Sequence, residues 1–296
     1  MKNFILFTFL IPTLCMAKFP EIDVQDLNGT YLDEKGSAHA MQARYVLPKV
    51  EIKHQDIDVI FDKVEKKLRI SDPSTSVVLD FDFSFLNIFK SFDFSGVEIK
   101  STDKIFTIQS SMLNLFINQT SYDLEDVYVE TDVRNIPTQD DEDITVIDGL
   151  ILNAILRMKS LRFTDASKSE FFDDLRFENP EHIAEINQLE KQKDSSKMIP
   201  LVVRNISYVV QEGVFNGKAL MDSWINLWLR VNGEMATNKN NTEITIRLDR
   251  AKLGIFSIRG TLLKRVRRLN LEGVTVNKNT ITINLDTVIL NQRESI

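Results

Sequence analysis

Most of the chain alternates apolar and polar residues with a period of two, which is typical of strands that bury one face. The alternation is clearest over residues 81–85, 127–134, 225–231, 244–248 and 281–285. Each of these stretches is expected to form a strand. The polar run between the third and fourth stretches is turn-forming and predicts an antiparallel hairpin from about Trp224 to Arg250.

Two stretches are instead predicted to be helices, and the first repeats its apolar residues every three or four positions. In the first, from Ile144 to Leu161, residues from Ile147 to Met158 form one broad apolar stripe. The second runs from Glu181 to Lys193 and follows Pro180, a favourable first residue of a helix. Its many charges predict a surface position.

These elements predict an α+β fold with a mostly antiparallel β-sheet packed on one or two helices. We divide the chain into a β-rich half at 18–136, an acidic linker with a helical segment at 137–199, and a second β-rich half at 200–296. The pattern G-V-x-[IV] occurs at Gly96 and again at Gly273, followed each time by a polar turn and a strand. It indicates either an internal repeat or the pattern common to any two hairpins.

The first 17 residues have the pattern of a secretory signal peptide. Lys2 is followed by an apolar run from Phe4 to Leu14, and a cleavage site with small residues ends at Ala17. An uncleaved anchor is disfavoured because the run is much shorter than the roughly 20 residues that span a bilayer. Cleavage would remove Cys15, the only cysteine, and the mature chain is expected in the periplasm or outside the cell.

Composition excludes several classes of protein. The 296 residues include 36 Lys and Arg against 43 Asp and Glu, with a net charge of −7. A disordered tail, a collagen and a disulfide-stapled scaffold are excluded, and nucleic acid is not an expected partner.

The search for catalytic chemistry yields no motif. His39, His54 and His182 are scattered, without the paired spacing of a zinc site, and no nucleophile elbow or phosphate-binding glycine loop is present. The acidic run Asp140–Asp143 lacks the ligand spacing of a calcium loop. We therefore expect no metal, no cofactor and no enzymatic activity, with a dispersed pair of carboxylates as the remaining alternative.

Charge is distributed unevenly along the chain. Residues 247–268 include eight bases and one acid, whereas residues 121–148 include ten acids and one base. Within the basic region, leucines and valine recur at helical spacing among four cations. The segment is either an ordinary surface helix or a contact for an anionic membrane or lipid headgroup, made by Lys264, Arg265, Arg267 and Arg268.

Apolar strand faces provide the candidate ligand site. Six phenylalanines lie between Phe81 and Phe94. Crowded aromatics fill a core or line a long apolar groove. The residues expected to line such a groove are Phe81, Phe83, Phe85, Ile244, Ile246, Leu248, Ile281 and Ile283.

The final third of the chain resembles the tubular lipid-binding superfamily and related small secreted phospholipid-binding proteins of bacterial envelopes. The stretches that carry the resemblance are LWLRVNG (227–233), ITIRL (244–248), LGIF (253–256), GVTV (273–276) and ITINL (281–285). A fainter echo covers residues 76–108. The resemblance implies a curved antiparallel sheet that wraps a helix and encloses a tunnel for acyl chains.

The sequence therefore favours a secreted, non-enzymatic protein that binds a lipid or another long apolar ligand. The alternative is a structural or interaction protein of the envelope, whose core is filled by its own side chains and whose charged faces bind a protein partner of unknown identity.

Overall fold

The computed structural model describes residues 21–47, 50–81, 83, 86, 89–102, 104–117, 120–132, 152–163, 168–191, 200–222, 225–238, 242–268 and 273–284. The strands in these ranges are β1 Glu21–Leu32, β2 Lys35–Leu47, β3 Val50–Asp62, β4 Lys67–Ser71, β5 Ser76–Asp80, β6 Phe89–Ser101, β7 Ile105–Ile117, β8 Thr120–Asp132, β9 Asn153–Phe163, β10 Leu201–Gln211, β11 Val214–Met221, β12 Leu227–Thr237, β13 Glu243–Leu253, β14 Phe256–Ser257, β15 Val274–Asn277 and β16 Thr280–Asn284. The α-helices are α1 Lys168–Glu178, α2 Ile183–Lys191 and α3 Arg259–Arg268, and a 3-10 turn covers Pro180–His182.

All of these strands belong to one antiparallel sheet. Its order is β15-β16-β13-β12-β11-β10-β9-β8-β7-β6-β1-β2-β3-β4-β5, and β14 pairs with β13. The chain starts inside the sheet at β1, moves outward to the edge at β5, and returns at β6 to pair with the other side of β1. The prediction of a mostly antiparallel sheet is confirmed, and strands of both β-rich halves lie in the same sheet.

The helix predicted over 144–161 is wrong for its described part. Residues Asn153–Phe163 form β9, which pairs with β8 on one side and β10 on the other. Ala154 and Met158 fit period two, together with Leu156, as well as a helical stripe, together with Ile155. Two neighbouring strands satisfy the backbone hydrogen bonds. Residues 144–151 lie outside the described part.

The other predicted elements are confirmed to different extents. The predicted helix 181–193 is present as the turn at Pro180 followed by α2. The hairpin is formed by β12 and β13. The strand predicted over 81–85 is wrong at its start, because β5 ends at Asp80 and Phe83 leaves the sheet to become buried. Phe85 lies outside the described residues.

The two copies of the G-V-x-[IV] pattern occupy different places in their hairpins. Gly96 lies inside β6 with a φ of 59°, whereas Gly273 precedes β15 with a φ of 79°. The strands before them also differ, since β5 lies at the far edge and β13 pairs directly with β16. The shared pattern therefore has no matching structural unit.

Buried apolar residues form two clusters at the two ends of the sheet. The larger, here called the C-terminal cluster, joins Phe172 and Leu175 of α1, Ile186 of α2 and Leu263 of α3 with residues of β9–β14, such as Leu253. The smaller, N-terminal cluster contains Tyr31, Phe61, Leu68, Phe83 and Leu86. No helix in the described part of the chain is long and apolar enough to cross a membrane.

Candidate functional site: the central apolar face

Two rows of paired residues cross the sheet and define its faces. The first row runs Phe94–Leu113–Leu124–Leu161–Val203–Met221 across β6, β7, β8, β9, β10 and β11. The second runs Ser101–Phe106–Thr131–Ala154–Val210–Phe215 across the same strands. Directly paired residues of an antiparallel sheet share a face, so each row lies on one side of the sheet.

Both rows lie on the same side. In β11, Phe215 and Met221 are six positions apart. Residues separated by an even number of positions in a regular strand lie on the same face. In β7, however, the same rows are seven positions apart, at Phe106 and Leu113. The odd spacing requires one extra residue, and it recurs in the eight neighbouring strands β3, β2, β1, β6, β7, β8, β9 and β10.

The extra residue is accommodated by a left-handed backbone in five of these strands. Asp26 in β1, Asp56 in β3, Gly96 in β6, Asp126 in β8 and Asn205 in β10 all have φ between 50° and 59°. Each lies between the two rows of its strand. The extra residues therefore form a line across the sheet, here called the bulge line, and keep apolar residues on one face over the full length of the strands.

The middle of this face is apolar. Eleven side chains of β6–β9 form what is here called the central face, and all are partly or fully buried. They are Phe94, Val97, Ile99, Ile108, Leu113, Leu115, Leu124, Val127, Val129, Leu156 and Leu161.

None of the eleven belongs to either hydrophobic cluster, and among the described residues β7 and β8 contribute no member to them. The C-terminal cluster reaches β9 at Ala154, and the N-terminal cluster reaches β6 at Phe92. The strands β1, β6, β7, β8 and β9 are neighbours, and at about 4.8 Å per strand they span about 19 Å. The central face therefore lies between two filled ends.

The opposite side of the same strands is mostly polar. Asp93, Asn114 and Asp123 are paired in one row, and the Asn114 Nδ2 donates to Asp93 Oδ2 at 2.7 Å. At the bulge line, the Lys159 Nζ lies 3.4 Å from Glu125 and 3.5 Å from Asp126. This contrast assigns the polar side to solvent and leaves the central face for apolar contacts.

The structure does not bring the sequence-predicted lining residues together. Phe81 and Phe83 are in contact with each other in the N-terminal cluster, where Phe83 is 1% exposed. Ile246, Leu248 and Ile281 lie in the C-terminal cluster.

Ile244 and Ile283 are paired with each other near the opposite edge of the sheet and are partly buried. The predicted residues thus occupy the two ends, and the central face between them was missed. In long alternating runs such as FTIQSSMLNLF (106–116), the apolar residues change from even-numbered to odd-numbered positions. This change is the sequence signal that would have located the central face.

All four predicted basic residues lie in α3, and they have different partners. Lys264 forms an ion pair with Asp174 of α1, and Arg268 forms one with Glu170. The Arg267 Nε donates to the Val276 carbonyl at 3.5 Å. At least two of these cations are therefore neutralised within the protein.

A carboxylate from another helix holds the start of α3. Glu178 accepts hydrogen bonds from the Gly260 N–H, the Thr261 N–H and hydroxyl, and the Ser257 hydroxyl, at 2.8 to 2.9 Å. Burial raises the pKa of Glu178, but these hydrogen bonds outweigh it and hold the pKa below its usual range. The charged carboxylate fixes α3 over the C-terminal cluster.

A separate depression lies beside the helices. It has a volume of about 330 Å³ and is lined by Glu185, Gln188, Leu189, Leu227, Gly254, Ile255 and Phe256. These residues do not include any of the central face. In the described part of the chain, no group of three or more His, Cys, Asp or Glu side chains is arranged to hold a metal ion.

Comparisons of the chain with protein-family models, curated protein sequences and solved structures found no match.

Proposed function

We propose that this is a secreted, non-enzymatic protein of the periplasm that binds a lipid or another long apolar ligand along the central face. The observation that carries the proposal is the set of eleven apolar side chains that lie outside both described hydrophobic clusters. The pattern of the first 17 residues supports secretion.

The line of bulges supports a curved sheet. A β-bulge bends its strand and increases the local twist, and aligned bulges are a known means of curving a sheet. Here the extra residues are aligned across eight neighbouring strands, so the bend follows a line that crosses the strands. We infer that the apolar side is the concave one and forms a trough in which an extended chain runs from strand to strand.

The chemistry of the face suits an acyl chain. Each methylene group that leaves water contributes about 0.8 kcal/mol, so a chain of many methylenes binds without a specific polar contact. None of the eleven side chains is titratable or nucleophilic. The face therefore supports binding, and the proposal includes no catalytic step.

A charge placed on the central face tests the proposal. Ile108 pairs with Ile99 and Val129, whereas its neighbour Gln109 lies on the polar side. The chain would be secreted with its own signal, purified gently, and analysed by native mass spectrometry and organic extraction. We expect the wild type and Gln109→Glu to carry lipid, and Ile108→Glu to carry at least about tenfold less, since a charge is strongly disfavoured among methylenes.

Uptake of added oleic acid and phosphatidylethanolamine by the purified proteins gives the second readout. A wild type with a clean mass and no uptake contradicts the proposal, as does unchanged uptake by Ile108→Glu. A wild type without lipid combined with unfolding of Ile108→Glu alone would mean that the protein fills this face itself. That result would favour the envelope interaction protein.

A further inference from the structure

A row of cations crosses the polar side of the sheet at its C-terminal strands. Lys218 of β11 pairs directly with Arg230 of β12, and Arg230 pairs directly with Lys252 of β13. All three side chains are exposed. We call these three residues the cation row.

The cation row has an electrostatic cost within the protein. Like charges directly opposite each other on neighbouring strands are destabilising, and these strands are only about 4.8 Å apart. Within the described ranges, none of the three cations forms an ion pair. An anion that lies against the row would remove this repulsion.

Three carboxylates that lie in these strands or directly after them are engaged elsewhere. Glu234 and Asp249 both pair with Arg247, at 2.7 and 2.9 Å. Asp222 pairs with Arg204 at 2.7 Å. The positive charge of the row is therefore not balanced by these neighbours.

A further cation and an exposed tryptophan lie beside the cation row. Arg250 lies two residues before Lys252 on the same strand and is exposed. On the other side of the row, Leu220 pairs with Trp228, which is 41% exposed. Tryptophan combines an apolar ring with an N–H donor, and such side chains are enriched where membranes meet water.

We propose that the cation row, together with Arg250 and Trp228, docks the protein on the anionic surface of a lipid bilayer. A row of adjacent cations on one side of a sheet faces several phosphates of a bilayer at once, and Trp228 reaches the headgroup level beside them. An acidic protein segment would use the cations but gain less from the adjacent Trp228 and Leu220. The site differs from α3 and does not require a ligand on the central face.

Vesicle binding tests the docking site. The mature chain would be titrated with phosphatidylcholine vesicles that contain either none or one-third phosphatidylglycerol, at low salt. For Lys218→Gln, Arg230→Gln, Lys252→Gln combined, we expect about 100-fold weaker partitioning onto the anionic vesicles, because each surface cation contributes about 1 kcal/mol. Binding of the wild type should weaken as salt is raised.

A second triple variant is the matched control. Lys66, Arg69 and Lys104 are exposed cations in the N-terminal strands and turns. Changing these three to Gln removes the same charge and should leave vesicle binding within about twofold, since surface attraction falls off within a Debye length. A variant with Arg265→Gln and Arg267→Gln should also bind as the wild type does.

Three results would overturn the proposal. They are unchanged binding by the cation-row variant, equal losses in the control variant, and binding to polyglutamate beads but not to anionic vesicles. In a Trp224→Phe background, Trp228 is the only tryptophan, and its fluorescence should shift to the blue on anionic vesicles alone. Lipid uptake measured by native mass spectrometry should survive in the cation-row variant, so failure of docking is distinguishable from failure of ligand binding.

Discussion

The types of residue at the bulge line suit the left-handed backbone that these positions adopt. Left-handed φ is accessible at little cost to glycine and, among other residues, mainly to asparagine and aspartate. The five left-handed positions between the two rows are occupied by three aspartates, one glycine and one asparagine. At Gly96 an added Cβ would also lie 2.5 Å from the Ser111 Oγ. A bulky residue at these positions would disfavour the extra residue that keeps the apolar side chains on one face.

Asp126 tests this point. Replacement by Val should lower the free energy of unfolding by about 1–2 kcal/mol, because a β-branched residue is strained in the left-handed region. Asp126→Gly should be within about 0.5 kcal/mol of the wild type, since the exposed pair with Lys159 contributes little. Urea denaturation measures both.

The matched control is Asp123→Val, which makes the same change three residues earlier in the regular part of β8. It should be tolerated, because valine favours strands. Equal losses at both positions would mean that the left-handed backbone is not the cause.

Tyr208 gives the protein a specific sensitivity to alkali. Burial raises the pKa of Tyr208 to about 12, and its hydroxyl donates to the Met235 Sδ at 2.9 Å. A raised pKa in the folded state stabilises the fold below the unfolded value of 10.0 and loses that contribution as the pH rises towards 12. We expect the wild type to lose stability relative to Tyr208→Phe over this range.

Chemical denaturation at several pH values would show the difference between the two proteins. All other titrating groups remain in both, so they cancel in the comparison. A difference that stays constant from neutral pH to about pH 12 would contradict the assigned cause.

At the scale of elements, α3 depends on a partner distant in the sequence. The first turn of α3 contains no acidic residue of its own. A helix start leaves backbone N–H groups unpaired, and here Glu178 of α1 accepts two of them. Asn179 reinforces the junction, because its side chain exchanges hydrogen bonds with the Ser257 backbone at 2.7 and 2.8 Å.

Removing the charge of Glu178 should therefore destabilise the fold. Glu178→Gln should lower the free energy of unfolding by about 1–2 kcal/mol near neutral pH. Since the folded pKa lies below the ordinary value of 4.5, the contribution is present above that pH and is lost as the pH falls through the folded pKa. The wild type and the variant should then converge in acid.

Thermal unfolding monitored by circular dichroism at several pH values measures this. Glu65→Gln, an exposed change in the turn before β4, is the control and should be neutral. A difference in stability between the wild type and Glu178→Gln that increases in acid would contradict the role of the Glu178 carboxylate.

Elements that depend on local residues are predicted well from the sequence, whereas those that depend on distant strands are not. The β12–β13 hairpin follows from local alternation and turn residues, and α2 from Pro180 at its start. β9 fits both periods, so its assignment depends on β8 and β10, which supply its hydrogen bonds from distant parts of the chain. The central face escaped notice because its apolar residues change phase at the bulges, which looks like the end of a strand.

At the scale of the whole molecule, the two faces of one sheet have different proposed partners. The central face at β6–β9 offers an apolar surface to a chain, and the cation row at β11–β13 offers charge to a bilayer on the opposite side. They occupy different strands, so either can act without displacing the other.

The position of β1 inside the sheet has a consequence for how the chain folds. Strands β1–β5 pair in sequence order, as do β6–β13, although longer segments separate β8 from β9 and β9 from β10. Their junction is different, since Ile22 must pair with Ser101, and the Asn28 side chain accepts a hydrogen bond from the Gly96 N–H at 2.8 Å. Distant pairings are slow because the loop must close first. During folding, β1 therefore keeps one edge open until β6 pairs with it, and an open strand edge exposes the chain to aggregation.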